Sequence, residues 1–244
     1  MPATATPVFT ISDVTSKLLR NFVGIQNSVL LQPGKQQATV ASGKSLFAIA
    51  QLPDDWPQET GIYDLNTFLG TLSLFSKPTV AFDTDKGVMV IQAGASKVKY
   101  RMSDPSTILT PPPDEPGNKL KTDNPGVTFT LSDKSLGQLN KSCAVLGLMS
   151  ATGQVVIDAS GGAVVVRGRD EKNPTAHSFE IEIPEKEVTF HQPNFTKKLV
   201  VKTEYMAMLL DGGYDISLSD RKYGYFKHQT EPVAYFIVGQ STQA

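Results

Sequence analysis

The stretch Ile62-Tyr63-Asp64-Leu65-Asn66-Thr67-Phe68-Leu69-Gly70-Thr71-Leu72-Ser73-Leu74-Phe75 decides how the first part of this chain folds. Asp64 is a good N-cap because its carboxylate can accept hydrogen bonds from the free N–H groups of a first helical turn. The opposite face of the predicted helix is small, polar and uncharged, where an ordinary surface helix carries Glu and Lys. Four apolar residues at helical spacing form its buried stripe: Leu65, Phe68, Leu69 and Leu72.

Composition limits the class of protein. The 244 residues can form one large domain or two ordinary ones with real hydrophobic cores. The 23 basic residues nearly balance the 24 acidic ones, so any nucleic-acid partner requires positive charge to be segregated onto one surface. A single cysteine, Cys143, excludes an internal disulfide framework. The sequence shows neither a membrane-spanning apolar run nor a secretion leader, so we expect a soluble cytoplasmic protein.

The two halves of the sequence repeat one another. Phe9-Thr10-Ile11-Ser12-Asp13 returns 120 residues later as Phe129-Thr130-Leu131-Ser132-Asp133. Each copy predicts a strand that leads into a capped helix, followed by three strands, a fourth strand, a short helix and three final strands. Two copies of β-α-βββ-β-α-βββ indicate one architecture used twice.

Specific boundaries follow for the other helices. The first helix is predicted to run from Ser12 or Asp13 to about Gly24, and the corresponding helix from about Lys134 to Leu148. The short helix of the second half is predicted over Thr203–Leu210. The residues expected to be buried are Val14, Leu18, Phe22 and Ile25 in the first helix, and Leu136, Leu139, Cys143 and Leu146 in its counterpart.

A proline-rich segment separates the halves, and its prolines are expected to exclude helix and favour an extended linker. The predicted organisation is a first domain over 1–103, a connector over 104–126 and a second domain over 127–244. The prolines of the segment are Pro105, Pro111, Pro112, Pro113, Pro116 and Pro125.

Catalytic signatures are missing from the sequence. His177, His191 and His228 show no metal-ligand spacing with each other or with Cys143, which is best interpreted as a small buried hydrophobe. There is no Gly-rich phosphate loop and no Gly-x-Ser-x-Gly motif. The run 167–170 (Arg-Gly-Arg-Asp) could grip a phosphate, but a polar hairpin loop is the favoured interpretation. We therefore predict neither an enzyme nor a cofactor.

The outer faces of the four predicted helices carry mainly basic and small polar side chains. Chance on short helices is one explanation. The duplication favours a functional one, because corresponding helices share the bias. Tyr205 is placed on the outer face of the fourth helix together with one acid, Glu204. The other outer residues are Lys17, Arg20, Asn21, Asn66, Thr67, Thr71, Lys77, Lys134, Gln138, Lys141 and Lys202.

The stretch 62–74 resembles the matching segment of the DNA polymerase sliding clamps of T-even-type bacteriophages. Leu18-Leu19-Arg20-Asn21-Phe22 and Ser103-Asp104-Pro105-Ser106-Thr107 resemble the same family. The resemblance in the first half covers roughly residues 15 to 112. The second half resembles the family in the order of its elements more than in recognisable sequence motifs.

The resemblance implies an α+β fold: two similar sliding-clamp domains per subunit, each with two helices packed on antiparallel sheets, in a trimeric six-domain ring. The helices would line the hole, so the outer helix residues named above would face double-stranded DNA. Such a ring must attract phosphates without gripping particular ones, and its contact with DNA should be weak, salt-sensitive and independent of sequence.

Strand alternation suggests where subunits meet. By analogy with clamps, the last strand of the first domain, 96–102, should pair with the strand 178–183 of a neighbour's second domain. Lys97, Lys99 and Arg101 would then oppose Glu180 and Glu182. The alternative, that both faces are simply solvated, stays open at this point.

The family resemblance also implies partners: the phage DNA polymerase, a clamp loader and the RNA polymerase apparatus of late transcription, in the cytoplasm of the infected bacterial host. The runner-up function is a β-rich structural or assembly protein of a virion. A partner-peptide pocket beneath the interdomain linker would be lined by Leu46, Phe47, Ile108, Leu109, Pro232 and Tyr235.

Overall fold

The computed structural model describes residues 8–111, 124–173 and 175–240. They form two compact units, one holding 8–44 and 48–111 and the other holding 45–47 and 124–240. Ser45–Phe47 therefore belong to the second unit, where the Val238 N–H donates to the Ser45 carbonyl at 2.8 Å. Residues 1–7 and residues 112–123 of the predicted connector lie outside the described residues, and the domain limits 1–103 and 127–244 stay a prediction.

The first unit has the predicted order β-α-βββ-β-α-βββ. Its main antiparallel sheet has the strand order β1-β6-β7-β8, β2 pairs with β5, and β3 lies beside β4. The elements are β1 (Val8–Thr10), α1 (Asp13–Ile25), β2 (Val29–Leu31), β3 (Gly34–Val40), β4 (Leu46–Trp56), β5 (Thr60–Ile62), α2 (Leu65–Ser73), β6 (Thr79–Asp83), β7 (Val88–Ala93) and β8 (Ser96–Arg101).

The second unit repeats this order with one added strand, β13. One antiparallel sheet has the order β12-β11-β10-β14, and another contains β13-β9-β15-β16-β17. The elements are β9 (Val127–Leu131), α3 (Asp133–Val145), β10 (Gly153–Ser160), β11 (Ala163–Asp170), β12 (Phe179–Glu182), β13 (Val188–Phe190), β14 (Lys197–Lys202), α4 (Thr203–Ala207), β15 (Tyr214–Leu218), β16 (Tyr223–His228) and β17 (Val233–Val238).

The repeated pentapeptides occupy the same place in the two units. The Ser12 hydroxyl accepts from Thr15 N at 3.2 Å at the start of α1, and the Ser132 hydroxyl accepts from Ser135 N at 3.1 Å at the start of α3. Each serine is an N-cap that satisfies a free donor of the first turn. The sequence repeat is therefore a structural repeat.

Aromatic clusters anchor both cores. In the first unit the Trp56 ring meets the Phe9 ring edge-on, with centroids 4.9 Å apart, and its indole N–H donates to the Thr60 hydroxyl at 3.0 Å. In the second unit Tyr214 lies edge-on to His228 and Tyr235, with centroids 5.0 and 6.0 Å away. Each buried polar tip has a partner, so these rings are buried without leaving a donor unsatisfied.

His228 is part of the second core and is not a metal or catalytic candidate. Its Nδ1 accepts from the backbone N–H groups of Thr230 and Glu231 at 3.1 and 3.0 Å, so its Nε2–H donates to the Asp211 carbonyl at 3.0 Å. Both ring nitrogens of His228 are therefore engaged in structural hydrogen bonds.

The predicted buried stripe of α2 is confirmed, since Leu65, Phe68, Leu69 and Leu72 are all buried. That of α1 is partly wrong. Val14 is 42% exposed, and Thr15 takes its place in the core. Thr15, Leu18, Leu19 and Phe22 follow the i, i+3, i+4, i+7 spacing of a one-sided helix, which Val14 does not.

Two predicted helix ends were too late. α4 stops at Ala207 instead of Leu210, because the Leu210 N–H donates to the Tyr235 hydroxyl at 3.1 Å and its carbonyl accepts from Tyr214 at 2.5 Å. These tertiary bonds replace helical ones. α3 stops at Val145, and Leu146, predicted to be buried, is half-buried.

Two predictions for irregular segments were also wrong. The run 167–170 is not a loop but the end of β11, and the turn begins only where the Asp170 carboxylate accepts from Lys172 N at 2.8 Å. The proline-rich segment does contain helix, a single 3-10 turn over Pro105–Thr107. Proline is tolerated at this first position because its missing N–H needs no helical partner.

Candidate nucleic-acid interface

The outward face of α1 is basic. Lys17 and Arg20 are exposed and Asn21 is half-buried, while the opposite side packs into the core. The helix is fixed at its start by the Asp54 carboxylate, which accepts from Ser12 N at 2.7 Å. The exposed Asp13 in the first turn reduces the net positive charge of this face. The sequence analysis did not include Asp13 among the outer residues of this helix.

The outward face of α2 is uncharged, and its hydroxyl protons are already in use. Asp64 caps the helix: Thr67 donates to it from its N–H at 2.9 Å and from its hydroxyl at 2.6 Å. These bonds, with one from Asn27, hold the pKa of Asp64 below its ordinary value. Thr71 donates to the Thr67 carbonyl at 2.8 Å, and Ser73 to the Gly70 carbonyl at 2.7 Å. The face therefore presents mainly oxygen lone pairs to the outside.

Lys77 follows α2 in an unusual backbone conformation. It is exposed and has a φ of 51°, in the left-handed region that non-glycine residues rarely adopt. Holding a lysine there costs of the order of 1 kcal/mol relative to an ordinary conformation, which marks the position as a candidate functional one.

The outward face of α3 resembles that of α1 in charge. Lys134, Gln138 and Lys141 are all exposed, and Asp133 in the first turn is exposed as well. The open space around Gly137 leaves the face flat between the two lysines, since nothing lies within 4 Å of where a Cβ would be.

The contribution of α4 is weaker than the sequence suggests. Lys202 is half-buried, and its Nζ lies 3.2 Å from the Glu204 carboxylate, a pair that raises the pKa of Lys202 and offsets its charge. Tyr205, predicted on the outer face, is buried. The basic character of the second unit's helices thus rests on α3.

The two strands proposed as subunit contacts each lie at the edge of a sheet. β8 ends the β1-β6-β7-β8 sheet and exposes Lys97, Lys99 and Arg101, with Val98 and Tyr100 half-buried between them. β12 ends the β12-β11-β10-β14 sheet and exposes Glu180 and Glu182. Within the described part of the chain, neither strand has a neighbour on its outer side, so each offers unpaired backbone groups.

The two acidic residues of β12 are not equivalent. Arg167 stands opposite Glu180 across the β11–β12 pair and donates to its carboxylate at 2.6 Å. No described side chain engages Glu182. The sequence analysis did not predict this ion pair, because it favoured a polar loop for the run 167–170; the alternation of Arg167 and Arg169 was the signal that the strand continues to Asp170.

The six residues of the predicted peptide pocket have unequal access to solvent. Leu46, Phe47 and Ile108 are buried, Leu109 is half-buried and Pro232 is exposed. Tyr235 is fully buried, and its hydroxyl accepts from Leu210. The pocket itself stays a prediction.

The described residues contain neither a membrane-spanning helix nor a cluster of metal ligands. No helix there is long and apolar enough to span a membrane. No group of three or more His, Cys, Asp or Glu side chains in these ranges is arranged to hold a metal ion.

Three phage proteins are similar to this chain. The "Sliding clamp" of Vibrio phage KVP40 is 28% identical over 174 residues, which are 71% of this chain and 76% of that protein. The sliding clamps of Enterobacteria phage T4 and Escherichia phage RB69 are each 33% identical over 41% of this chain and 44% of their own length. This chain is similar in sequence to the sliding clamps of T4-like phages. No protein-family model matches it.

Solved clamps share the fold of this chain at much lower identity. The structure of A. fulgidus PCNA with the C-terminal region of FEN-1 bound has a TM-score of 0.65 and 14% identity, covering 97% of this chain and 99% of its own. The beta chain of DNA polymerase III from Streptococcus pneumoniae has a TM-score of 0.65 and 15% identity, covering 99% of this chain and 66% of its own. The two-unit architecture is that of a sliding clamp.

Proposed function

We propose that three copies of this chain form a closed ring of six similar domains that encircles double-stranded DNA without sequence specificity. The observation that carries the proposal is that two features occur together in a clamp fold. Both units have a helix with two outward basic residues, and each unit has a sheet with a free edge strand, basic in β8 and acidic in β12.

The helix faces suit a surface that slides. Lys17 and Arg20 on α1 and Lys134 and Lys141 on α3 supply positive charge at intervals, separated by neutral groups. Phosphates are attracted by such charges regardless of sequence. The α2 face carries neither Arg nor Lys, and the exposed Asn66 is its single side chain with an amide that could read a base edge. Retention on DNA would then depend on ring closure, because the contacts are too weak to hold the protein in place.

The free edges suit closure by strand pairing. β8 of one copy and β12 of the next can add to each other antiparallel, which satisfies their unpaired backbone groups and places Lys97, Lys99 and Arg101 opposite acidic residues. Opposite-charge cross-strand pairs contribute about 0.2–1 kcal/mol each, so the contact can also be reopened.

Two measurements test this proposal together: the mass of the assembled protein, and its retention on circular compared with linear DNA. Sedimentation should give three times the 26.4 kDa of one chain at micromolar concentration. After incubation with a nicked circular plasmid, the protein should co-elute with DNA in gel filtration, and cutting the plasmid once should release it. Equal retention on circular and linear DNA would indicate surface binding instead. Large assemblies with no DNA retention would favour a virion component.

The proposed ring would act in replication, in the cytoplasm of an infected bacterium, as a tether for the phage DNA polymerase. A clamp loader would open it, and the late-transcription apparatus could use the same platform. Similarity to the phage clamps supports this proposal, and so does the solved structure of A. fulgidus PCNA with the C-terminal region of FEN-1 bound to it.

Binding of a labelled peptide from the C-terminus of the phage DNA polymerase tests whether the protein tethers the polymerase. Pro232→Asp changes an exposed residue of the predicted pocket and should weaken peptide binding at least tenfold. Tyr235→Ala is a poor choice because Tyr235 lies in the core. His177→Asp, at an exposed loop position of the same unit, serves as the control. Equal affinity for both variants and the unaltered chain would reject Pro232 as part of the site.

A further inference from the structure

Basic side chains gather where two segments of the second unit meet, one at the start of β14 and one in the turn between β15 and β16. The members of this basic cluster are Lys197, Lys198, Arg221 and Lys222. Lys197 is half-buried, and the other three are exposed. The Lys197 Nζ donates to the Asp220 carbonyl at 3.3 Å, which joins the two segments.

The first unit contains the same turn on the same backbone framework. In the second unit the Gly239 N–H donates to the Lys222 carbonyl at 2.6 Å, and in the first the Met102 N–H donates to the Gly87 carbonyl at 2.9 Å. Each bond ties the residue after the last strand of its unit to the residue before the strand beside it. The turn 219–222 of the second unit therefore corresponds to the turn between β6 and β7 of the first.

A second backbone bond is repeated in the same way. The Gln240 N–H donates to the Val200 carbonyl at 2.7 Å, and the Ser103 N–H donates to the Gly61 carbonyl at 2.9 Å. Val200 lies on β14 and Gly61 lies on β5. The start of β14 therefore corresponds to the start of β5.

The corresponding segments carry opposite charge. Residues 58–59 and 84–87 of the first unit hold two acidic side chains and one basic one, and the basic one is paired with Asp83 at 2.7 Å. Residues 197–198 and 219–222 of the second unit hold four basic side chains and one acidic one. The same framework accepts either charge, so the fold does not require the basic cluster.

Most of the charge of the cluster is not balanced by an ion pair. Lys198 pairs with Asp158 at 3.0 Å, which offsets one of the four positive charges. The acceptor of Lys197 is a neutral carbonyl. Among the described residues, no acidic side chain forms an ion pair with Lys197 or Lys222. Positive charge at this surface is therefore available to an external anion.

The cluster lies away from the helix faces assigned to DNA. β14 runs from Lys197 to Lys202, and α4 follows directly at Thr203. At about 3.3 Å per residue, Lys197 lies about 17 Å along the strand from the start of α4. The anion that the cluster serves is therefore not the duplex that the helices would enclose.

The small extent of the cluster favours carboxylates over a nucleic-acid backbone. A nucleic-acid strand carries a phosphate about every 3.4 Å, and proteins that follow it present an extended basic stripe. This cluster occupies two adjoining segments and includes the exposed Asp220, which would repel a continuous line of phosphates. A few carboxylates in a short peptide segment match its size.

We infer that the basic cluster is a docking surface for a short acidic segment of a partner protein. The inference goes beyond the proposed ring and does not depend on it, because all four basic residues belong to one chain. Carboxylates accept charge-assisted hydrogen bonds from ammonium and guanidinium groups. Each exposed charge pair is weak and is screened by salt, so several must form together.

Fluorescence anisotropy with a labelled hexaglutamate peptide at about 0.05 M salt tests the inference. Lys197→Glu and Lys222→Glu should each weaken binding about threefold or more, and the double variant about tenfold or more. Lys172→Glu is the matched control, since it makes the same charge change at an exposed turn of the same unit, and it should bind as the unaltered chain does. Lys222→Gln, which only neutralises the charge, should show a smaller loss in the same direction.

Three results would overturn the inference: no binding of hexaglutamate by the unaltered chain, an equal loss with Lys172→Glu, or no loss with Lys197→Glu and Lys222→Glu. A labelled six-residue oligothymidylate distinguishes the two kinds of anion. If it binds more tightly than hexaglutamate and loses affinity in the same variants, the cluster binds phosphates and the acidic peptide segment is rejected. Sedimentation of the same variants should match the unaltered chain, because the cluster is not part of the proposed seam between copies.

Discussion

Reversing the charge of Glu182 should weaken association of the proposed ring more selectively than reversing that of Glu180. In the single chain, Arg167 already donates to the Glu180 carboxylate, whereas no described side chain engages Glu182. Glu182→Lys therefore removes a carboxylate that is available only to a neighbour. Glu180→Lys also places a lysine beside Arg167, so part of its effect falls on the subunit.

The expected loss of association free energy follows from the energy of charge pairs across neighbouring strands. One opposite-charge pair across neighbouring strands is worth about 0.2–1 kcal/mol, and a like-charge pair costs a similar amount, so Glu182→Lys should cost about 0.4–2 kcal/mol per seam. A ring of three copies has three seams, which multiplies the cost to about 1–6 kcal/mol. The overall trimer dissociation constant should rise by about one to four factors of ten.

Sedimentation velocity over a concentration series measures this shift. The difference between Glu182→Lys and the unaltered chain should be largest near 0.05 M salt and nearly vanish near 1 M, where the Debye length is about 3 Å. Glu171→Lys, an identical charge change at an exposed turn of the same unit, is the control. Equal weakening by Glu171→Lys, or none by Glu182→Lys at low salt, would refute the proposed pairing.

Three further predictions concern the subunit itself. Gly70→Ala and Gly137→Ala should each raise the free energy of unfolding by about 0.5–1 kcal/mol in urea titrations, because open space surrounds both positions and glycine is costly inside a helix; unchanged midpoints would contradict this. The pKa of Asp64 is lowered in the fold, so the stability that its charged form contributes is complete above about pH 4 and is lost as the pH falls through the folded pKa. Melting curves over that acidic interval should therefore show Asp64→Asn losing less stability than the unaltered chain. Burial raises the pKa of the Cys143 thiol, so a thiol reagent at about pH 8 should label it only after unfolding in urea, and rapid labelling of the native chain would contradict its core position.

Local patterns in the sequence predicted most of the fold. Asp64 and the stripe beginning at Leu65 are a cap and a buried face that depend only on residues within two turns, and both are confirmed. The repeated pentapeptide likewise predicted two equivalent capped helices. Val14 was misplaced because periodicity alone does not distinguish two neighbouring phases of one helix; the core selected the phase that buries Thr15 and leaves its hydroxyl without a hydrogen bond.

The rest of the fold could not be predicted from the sequence because it depends on contacts between residues that are far apart in the chain. α4 ends early because of Tyr214 and Tyr235, which follow it in the chain and could not be placed beside Leu210 from sequence. The difference between Glu180 and Glu182 required the strand register that sets Arg167 opposite one of them. Charge alternation and helical spacing predicted which side chains are exposed on β8, β12, α1 and α3, whereas contacts that depend on pairing across strands could not be predicted from the sequence.

The inward-turned hydroxyls of α2 have a kinetic consequence. Thr67, Thr71 and Ser73 donate to the cap and to their own helix, so a phosphate group passing these three side chains meets no free hydroxyl donor. The exposed Asn66 amide is the remaining side-chain donor of α2. If this face borders DNA, the contacts exchanged along Thr67, Thr71 and Ser73 are contacts with water. Diffusion of the proposed ring should then scale with solvent viscosity and vary with temperature about as water does, and Thr71→Arg should add an activation enthalpy to every base-pair step.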